Sequence, residues 1–201
     1  MFCPVSWSED VSQRALPLRN VIFFSDDDGR TWTRGKGMVD CPKRGAMEPG
    51  VVELKDGRVL QVIRTQMGQV WFSFSTDSGD TWSVAVPSGI TSPESPSTIA
   101  RLPGGGELLL IHNPNIERGV SAIKSRTPLV PRISQDEGLT WSDPKVIEPS
   151  PHFIHAYTSV TFDRDRALLT YWVAPSTNWT PISLRFRSIS VDWFTAPCER
   201  N

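Results

Sequence analysis

Several functional classes are excluded by what this sequence has little of. Cysteine is scarce: Cys3, Cys41 and Cys198 are the only three among 201 residues. An odd number without Cys-x-x-Cys spacing fits neither a disulfide framework nor a zinc site, so free thiols are expected. Net charge is almost absent, because 21 basic residues face 22 acidic ones. The two signs are interspersed, which argues against nucleic acid or an anionic membrane as a partner. No apolar run approaches the ~20 residues that span a bilayer. The opening MFCPVSWSED is too polar and acidic for a signal peptide. As given, the chain reads as cytoplasmic, and the sequon Asn178-Trp179-Thr180 as a chance triplet. No segment sustains an apolar period of 3.6 residues, so helices should be few. No cofactor or metal is called for.

What is present is a hydrophobic content of 38%, enough for a core, and an internal repeat. SDDDGRTW at Ser25–Trp32, STDSGDTW at Ser75–Trp82 and SQDEGLTW at Ser134–Trp141 share the frame Ser-x-Asp-x-Gly-x-Thr-Trp. Each fixed position has a task in a tight hairpin. The Asp carboxylate accepts hydrogen bonds from backbone N–H groups of the turn, and Gly supplies a positive φ. The Trp covers the hairpin with apolar surface. The Asp residues therefore read as structural; a hard cation would need several converging oxygens.

Between the boxes the pattern is again β. Val51 to Leu54, the turn Lys55-Asp56-Gly57 and Arg58 to Arg64 form one hairpin. Ile99 to Leu102 with Glu107 to His112, and Thr158 to Phe162 with Ala167 to Trp172, repeat it. Four antiparallel strands per unit at a spacing near 50 residues mark propeller blades. The expectation is an all-β chain of about three to four such blades. A partial blade covers residues 19–38 and supplies only the last two strands; further blades span 46–87, 95–148 and 155–195. A propeller closes by joining first and last blades, so the count predicts an incomplete, C-terminal portion, or self-association through open edges.

The three boxes, with EPGVVELKDGRVLQVIR at residues 48–64, resemble the exo-α-sialidases (neuraminidases) and their Asp-box, BNR-repeat relatives. In that family a Glu opens the first strand of a central blade and an Arg closes the second, sixteen residues on; Glu48 and Arg64 have this spacing. The resemblance also matches Arg126 to the Arg ahead of the next box, and Tyr157, in Ala156-Tyr157-Thr158-Ser159, to the Tyr that starts the last blade. It implies the six-bladed fold and a retaining glycosidase that releases terminal sialic acid, or a related acidic sugar, from glycoconjugates. Guanidinium groups bind carboxylates through paired charge-assisted hydrogen bonds, the role implied for Arg64 and Arg126. A neutral phenol is not repelled by the carboxylate of the sugar, which suits Tyr157 as nucleophile, with Glu48 as its base. The implied set should converge at one end of the propeller axis.

The residues alone leave other readings open. Arg64 ends a strand and Arg126 lies in a loop, positions common for solvated Arg; Tyr157 suits a core aromatic, and Glu48 a turn carboxylate before Pro49. His112, His152 and His155 read as structural, with His155 close enough in sequence to line the same mouth as Tyr157. The Ser- and Pro-rich run Thr91 to Ser97 carries no assignable role. The family's Arg-Ile-Pro motif and acid/base Asp have no match, so this chain alone is expected to be inactive. The rival readings are a carbohydrate-binding propeller without turnover and an interaction propeller.

Overall fold

In a computed structural model the alternating segments form the expected hairpins. The structure describes residues 1–8, 17–116, 125–178 and 180–197; Cys198 and Trp179 of the sequon lie outside them. The chain divides into two compact units, Met1–Pro96 and Ser97–Asn201.

The first unit holds two antiparallel sheets. One is ordered β1 (Phe2–Trp7), β2 (Arg19–Phe24) and β3 (Thr33–Arg34). The other is ordered β4 (Met47–Glu53), β5 (Val59–Arg64), β6 (Gln69–Ser75) and β7 (Val86–Thr91). Strand β1 lies outside the expected span of the first blade. Pro4 breaks its pattern, yet all six of its residues pair with β2, from Phe2 opposite Phe24 to Trp7 opposite Arg19. Gln61 is buried in β5, where an amide needs a partner, and Asn20 of β2 donates to it at 3.3 Å.

In the second unit, β8 (Thr98–Arg101), β9 (Leu108–His112) and β10 (Val130–Ser134) form one sheet. β11 (Phe153–Asp163), β12 (Arg166–Pro175) and β13 (Ser183–Ser190) form the other, followed by the one-turn helix α1 (Val191–Thr195). Leu109 and Ile111 of β9 pack with Leu169 and Tyr171 of β12 in a single buried cluster. Each aliphatic side chain buried this way contributes about 2 kcal/mol.

The three boxes are one structure built three times. Asp27, Asp77 and Asp136 each accept the backbone N–H of the box Thr at 2.9, 2.8 and 2.8 Å, and its hydroxyl on the second oxygen. The box Ser accepts the Gly N–H at 2.8, 2.8 and 2.7 Å. Each Trp closes the turn, its indole N–H donating to the Gly carbonyl. Gly29, Gly79 and Gly138 have φ of 84°, 90° and 90°. The preceding Asp28, Ser78 and Glu137 are left-handed too, at 58°, 56° and 59°.

One glycine sets the entry to β4. Gly45 has φ of +87°, and a Cβ there would lie 2.0 Å from the Leu18 carbonyl oxygen and 2.6 Å from its nitrogen. Leu18 cannot retreat easily, because its N–H donates to Arg44 and its carbonyl accepts from Ala46, both at 2.8 Å. Gly45→Ala is therefore expected to cost about 2 kcal/mol, read as a lowered urea midpoint.

Candidate functional site

Two clusters contain the four residues singled out in the sequence, one in each unit. In the first unit, β4 pairs Met47 with Arg64 and then Gly50 with Val62. Two residues, Glu48 and Pro49, thus oppose the single Ile63, which is a β-bulge. Glu48 takes φ of 42° there, and its N–H donates to the Ser6 hydroxyl at 2.6 Å. The bulge turns its carboxylate toward Arg64, whose Nη1 donates to Glu48 Oε2 at 2.6 Å. Glu48 is consequently an ion-pair partner rather than a solvated turn residue. On the other side of the guanidinium, Arg64 Nη2 lies 3.4 Å from Glu94 Oε1. Glu94 is itself fixed by Gln66 at 2.9 Å and by Arg44 at 2.5 Å. Arg64 is mostly buried, held between two carboxylates.

The second unit repeats the device. β11 pairs Ala156 with Trp172 and Ser159 with Thr170, so Tyr157 and Thr158 oppose the single Tyr171. Tyr157 has φ of 56° and, at 47% exposure, is not a core aromatic. Its ring stacks on Trp172 at 5.5 Å between centroids, inclined by 26°. Arg126 is 4% exposed, and its guanidinium carbon sits 5.6 Å from the Tyr157 ring centroid and 5.7 Å from that of Trp172. Its backbone is tied to the same strand, since its carbonyl accepts from His155 N–H at 2.8 Å. Arg132, a competitor in the same stretch of sequence, has a different job. It donates to His112 at 3.2 Å and to the Ser142 carbonyl at 2.7 Å, bracing the third box.

His155 does not line an open mouth; it is completely buried. Its ring meets the edge of Tyr171, and its Nε2 is 3.9 Å from Glu148 Oε2. Burial lowers its pKa from the usual 6.5 to about 4, opposed in part by Glu148. The Tyr171 hydroxyl donates to Glu148 Oε1 at 2.5 Å, and burial together with that bond pushes the phenol far above its usual range. The chain has two tyrosines. In a Tyr157→Phe variant Tyr171 is the sole phenol, and no phenolate absorption should develop up to about pH 11, where a free phenol of pKa ~10 is mostly ionised.

Comparison with known proteins rests on this geometry. The profile of the BNR repeat-like domain matches residues 1–170. The chain belongs to the BNR repeat-like family. A sialidase of Micromonospora viridifaciens is 32% identical over 139 residues, 64% of this chain and 20% of that protein. A Dyadobacter fermentans protein of unknown function superposes with a TM-score of 0.69 at 20% identity, covering 94% of this chain and 50% of that one. A leech intramolecular trans-sialidase gives 0.67 at 21% identity over 96% of this chain and 30% of its own. The Trypanosoma rangeli sialidase in complex with the inhibitor DANA gives 0.65 at 21% identity, with coverages of 85% and 27%. At such identities the structures establish the fold: this BNR chain has the all-β architecture of part of a sialidase propeller. It spans a fifth of the Micromonospora relative and at most half of these solved structures.

Two residues of the clusters were missed in the sequence. Glu94 lies in the Ser- and Pro-rich loop, which shows no periodicity to read. Trp172 pairs with Ala156 beside the bulge, as Arg64 pairs with Met47, a register that shows only once the strands are paired.

Proposed function

We propose that this BNR chain carries part of the active site of a retaining sialidase. Tyr157 is the nucleophile, Glu48 its base, and Arg64 and Arg126 bind the carboxylate of the sugar. The observation that supports this best is the setting of Tyr157. A phenol on a strained bulge residue, half exposed and seated over a buried guanidinium, serves packing poorly and suits attack on a carboxylated sugar. In the reaction the Tyr157 oxygen bonds to the anomeric carbon as its proton passes to Glu48, and the bond to the leaving oxygen breaks. The proton for the leaving oxygen must come from a group outside these four residues. Water then cleaves the glycosyl-tyrosine bond: Glu48 returns the proton to the departing Tyr157 oxygen, and the attacking water gives up its own proton to the group that protonated the leaving oxygen. The natural substrate in this reading is a sialoglycoconjugate or another acidic glycan.

A carbohydrate-binding propeller without turnover is the second reading, favoured by the Tyr157–Trp172 stack, a surface on which a sugar ring can lie. Hydrolysis of a fluorogenic sialoside by the whole gene product separates the two. Turnover supports the hydrolase; saturable binding with no release of fluorophore overturns it in favour of the binding module.

A further inference from the structure

The β11–β13 sheet carries a cationic cluster on the face opposite Trp172. Residues paired across an antiparallel ladder share a face. Tyr171 pairs with Arg185 and Leu169 with Arg187, whereas Trp172 pairs with Leu184. Arg185 and Arg187 therefore stand side by side on the Tyr171 face. Both lean on one carboxylate: Arg185 Nη1 donates to Glu148 Oε2 at 3.1 Å, and Arg187 Nε lies 3.2 Å from Glu148 Oε1.

Charge does not balance in this cluster. Glu148 is buried, which raises its pKa, but the Tyr171 hydroxyl and the two guanidinium groups outweigh burial and keep it ionised. Tyr171 and His155 are neutral near pH 7. Two guanidinium charges thus face one carboxylate, and among the described residues no other carboxylate pairs with either Arg. A guanidinium has five N–H donors. Arg185 directs one at Glu148 and Arg187 is held to the same carboxylate as an ion pair, and both side chains remain nearly half exposed. Arg185, though not Arg187, lines a cleft of about 280 Å³ together with Phe153, Pro175, Pro181 and Leu184.

We propose that Arg185 and Arg187 form a binding subsite for an oxyanion, carboxylate or sulfate, on an acidic sugar whose apolar face enters this cleft. The planar fork of a guanidinium matches both oxyanions. Anchoring on buried Glu148 fixes the two side chains in advance, which reduces the entropy lost when a ligand binds. The surplus charge supplies attraction, and Phe153 and Leu184 offer apolar contact to sugar C–H groups. This subsite does not depend on the hydrolase reading.

The test is an NMR titration of the 201-residue chain at low ionic strength with galacturonate, with a sulfated glucose and with uncharged galactose. One or both acidic sugars should give saturable shifts at the amides of Ser183 to Ser188 and at the Nε–H of Arg185 and Arg187, and galactose none. Whichever acid binds identifies the oxyanion. Arg185→Lys with Arg187→Lys retains the charge against Glu148 but loses the fork, and should weaken binding by about tenfold. Should that variant not fold, Glu148→Gln with Arg185→Gln and Arg187→Gln removes every charge of the cluster together and must abolish the shifts. Unchanged affinity in the folded variant, equal shifts with galactose, or no shift with either acid at tens of millimolar would each overturn the proposal.

Discussion

In the whole gene product, Tyr157→Phe is expected to lower turnover of a fluorogenic sialoside by about a thousandfold or more. Folding stability should stay within about 0.5 kcal/mol. The two expectations separate the chemical role of the residue from its packing role. Phenylalanine keeps the ring on Trp172 and over Arg126, so the contacts at 5.5 and 5.6 Å survive. Only the hydroxyl is lost, from a residue 47% exposed, so little burial changes. A nucleophile acts only as the new bond forms, so the loss should fall on kcat with KM within a few-fold. If Tyr157 were merely part of a stacking platform, Phe would serve as well, and retained turnover would sink the assignment. Trp172→Ala offers the contrast. It removes the surface on which Tyr157 rests and should impair sugar binding, whether or not the chain is a hydrolase.

The two clusters owe their form to one backbone device that the sequence only half displays. The boxes were legible because every fixed position does a job within eight residues. Asp27, Asp77 and Asp136 repeat the same bonds to the box Thr within tenths of an ångström. Glu48, Arg64, Arg126 and Tyr157 were legible only through a family spacing. Their setting depends on which residues pair across strands. The bulges at Glu48 and Tyr157 arise because β4 and β11 each insert one extra residue against the neighbouring strand. Nothing in Met-Glu-Pro-Gly or Ala-Tyr-Thr-Ser announces a positive φ, since Glu and Tyr adopt it only when surrounding structure imposes it. The pairing of Glu94 with Arg64 spans thirty residues of sequence, beyond any local pattern. β1 was hidden for the opposite reason: its strand pattern is interrupted by Pro4, and only its pairing with β2 makes it a strand.

Between pH ~6.5 and ~4 the chain should lose up to about 3 kcal/mol of stability through a single histidine. His155 is held neutral in the fold because burial lowers its pKa to about 4, and Arg185 and Arg187 add to that effect while Glu148 opposes it. In the unfolded chain it titrates near 6.5. As pH falls below 6.5 the unfolded state takes up the proton first, so the contribution of His155 is complete above 6.5 and is lost by about 4. The box carboxylates act in a different window. The Thr hydroxyl and N–H bonds hold Asp27 and Asp77 at about 2, so their contribution is intact above the usual carboxylate range and falls only in stronger acid. Urea midpoints measured from pH ~7 to ~4 should therefore slope downward in the native chain, and the slope should flatten in His155→Gln, whatever that substitution does to absolute stability. A flat native profile, or an undiminished slope in the variant, would refute the account. The position of the residue gives this titration functional weight. His155 lies two residues ahead of Tyr157 on β11 and bonds through its N–H to the Arg126 carbonyl. Protonation of His155 in acid therefore acts on the strand that carries Tyr157 and on its bond to the Arg126 backbone.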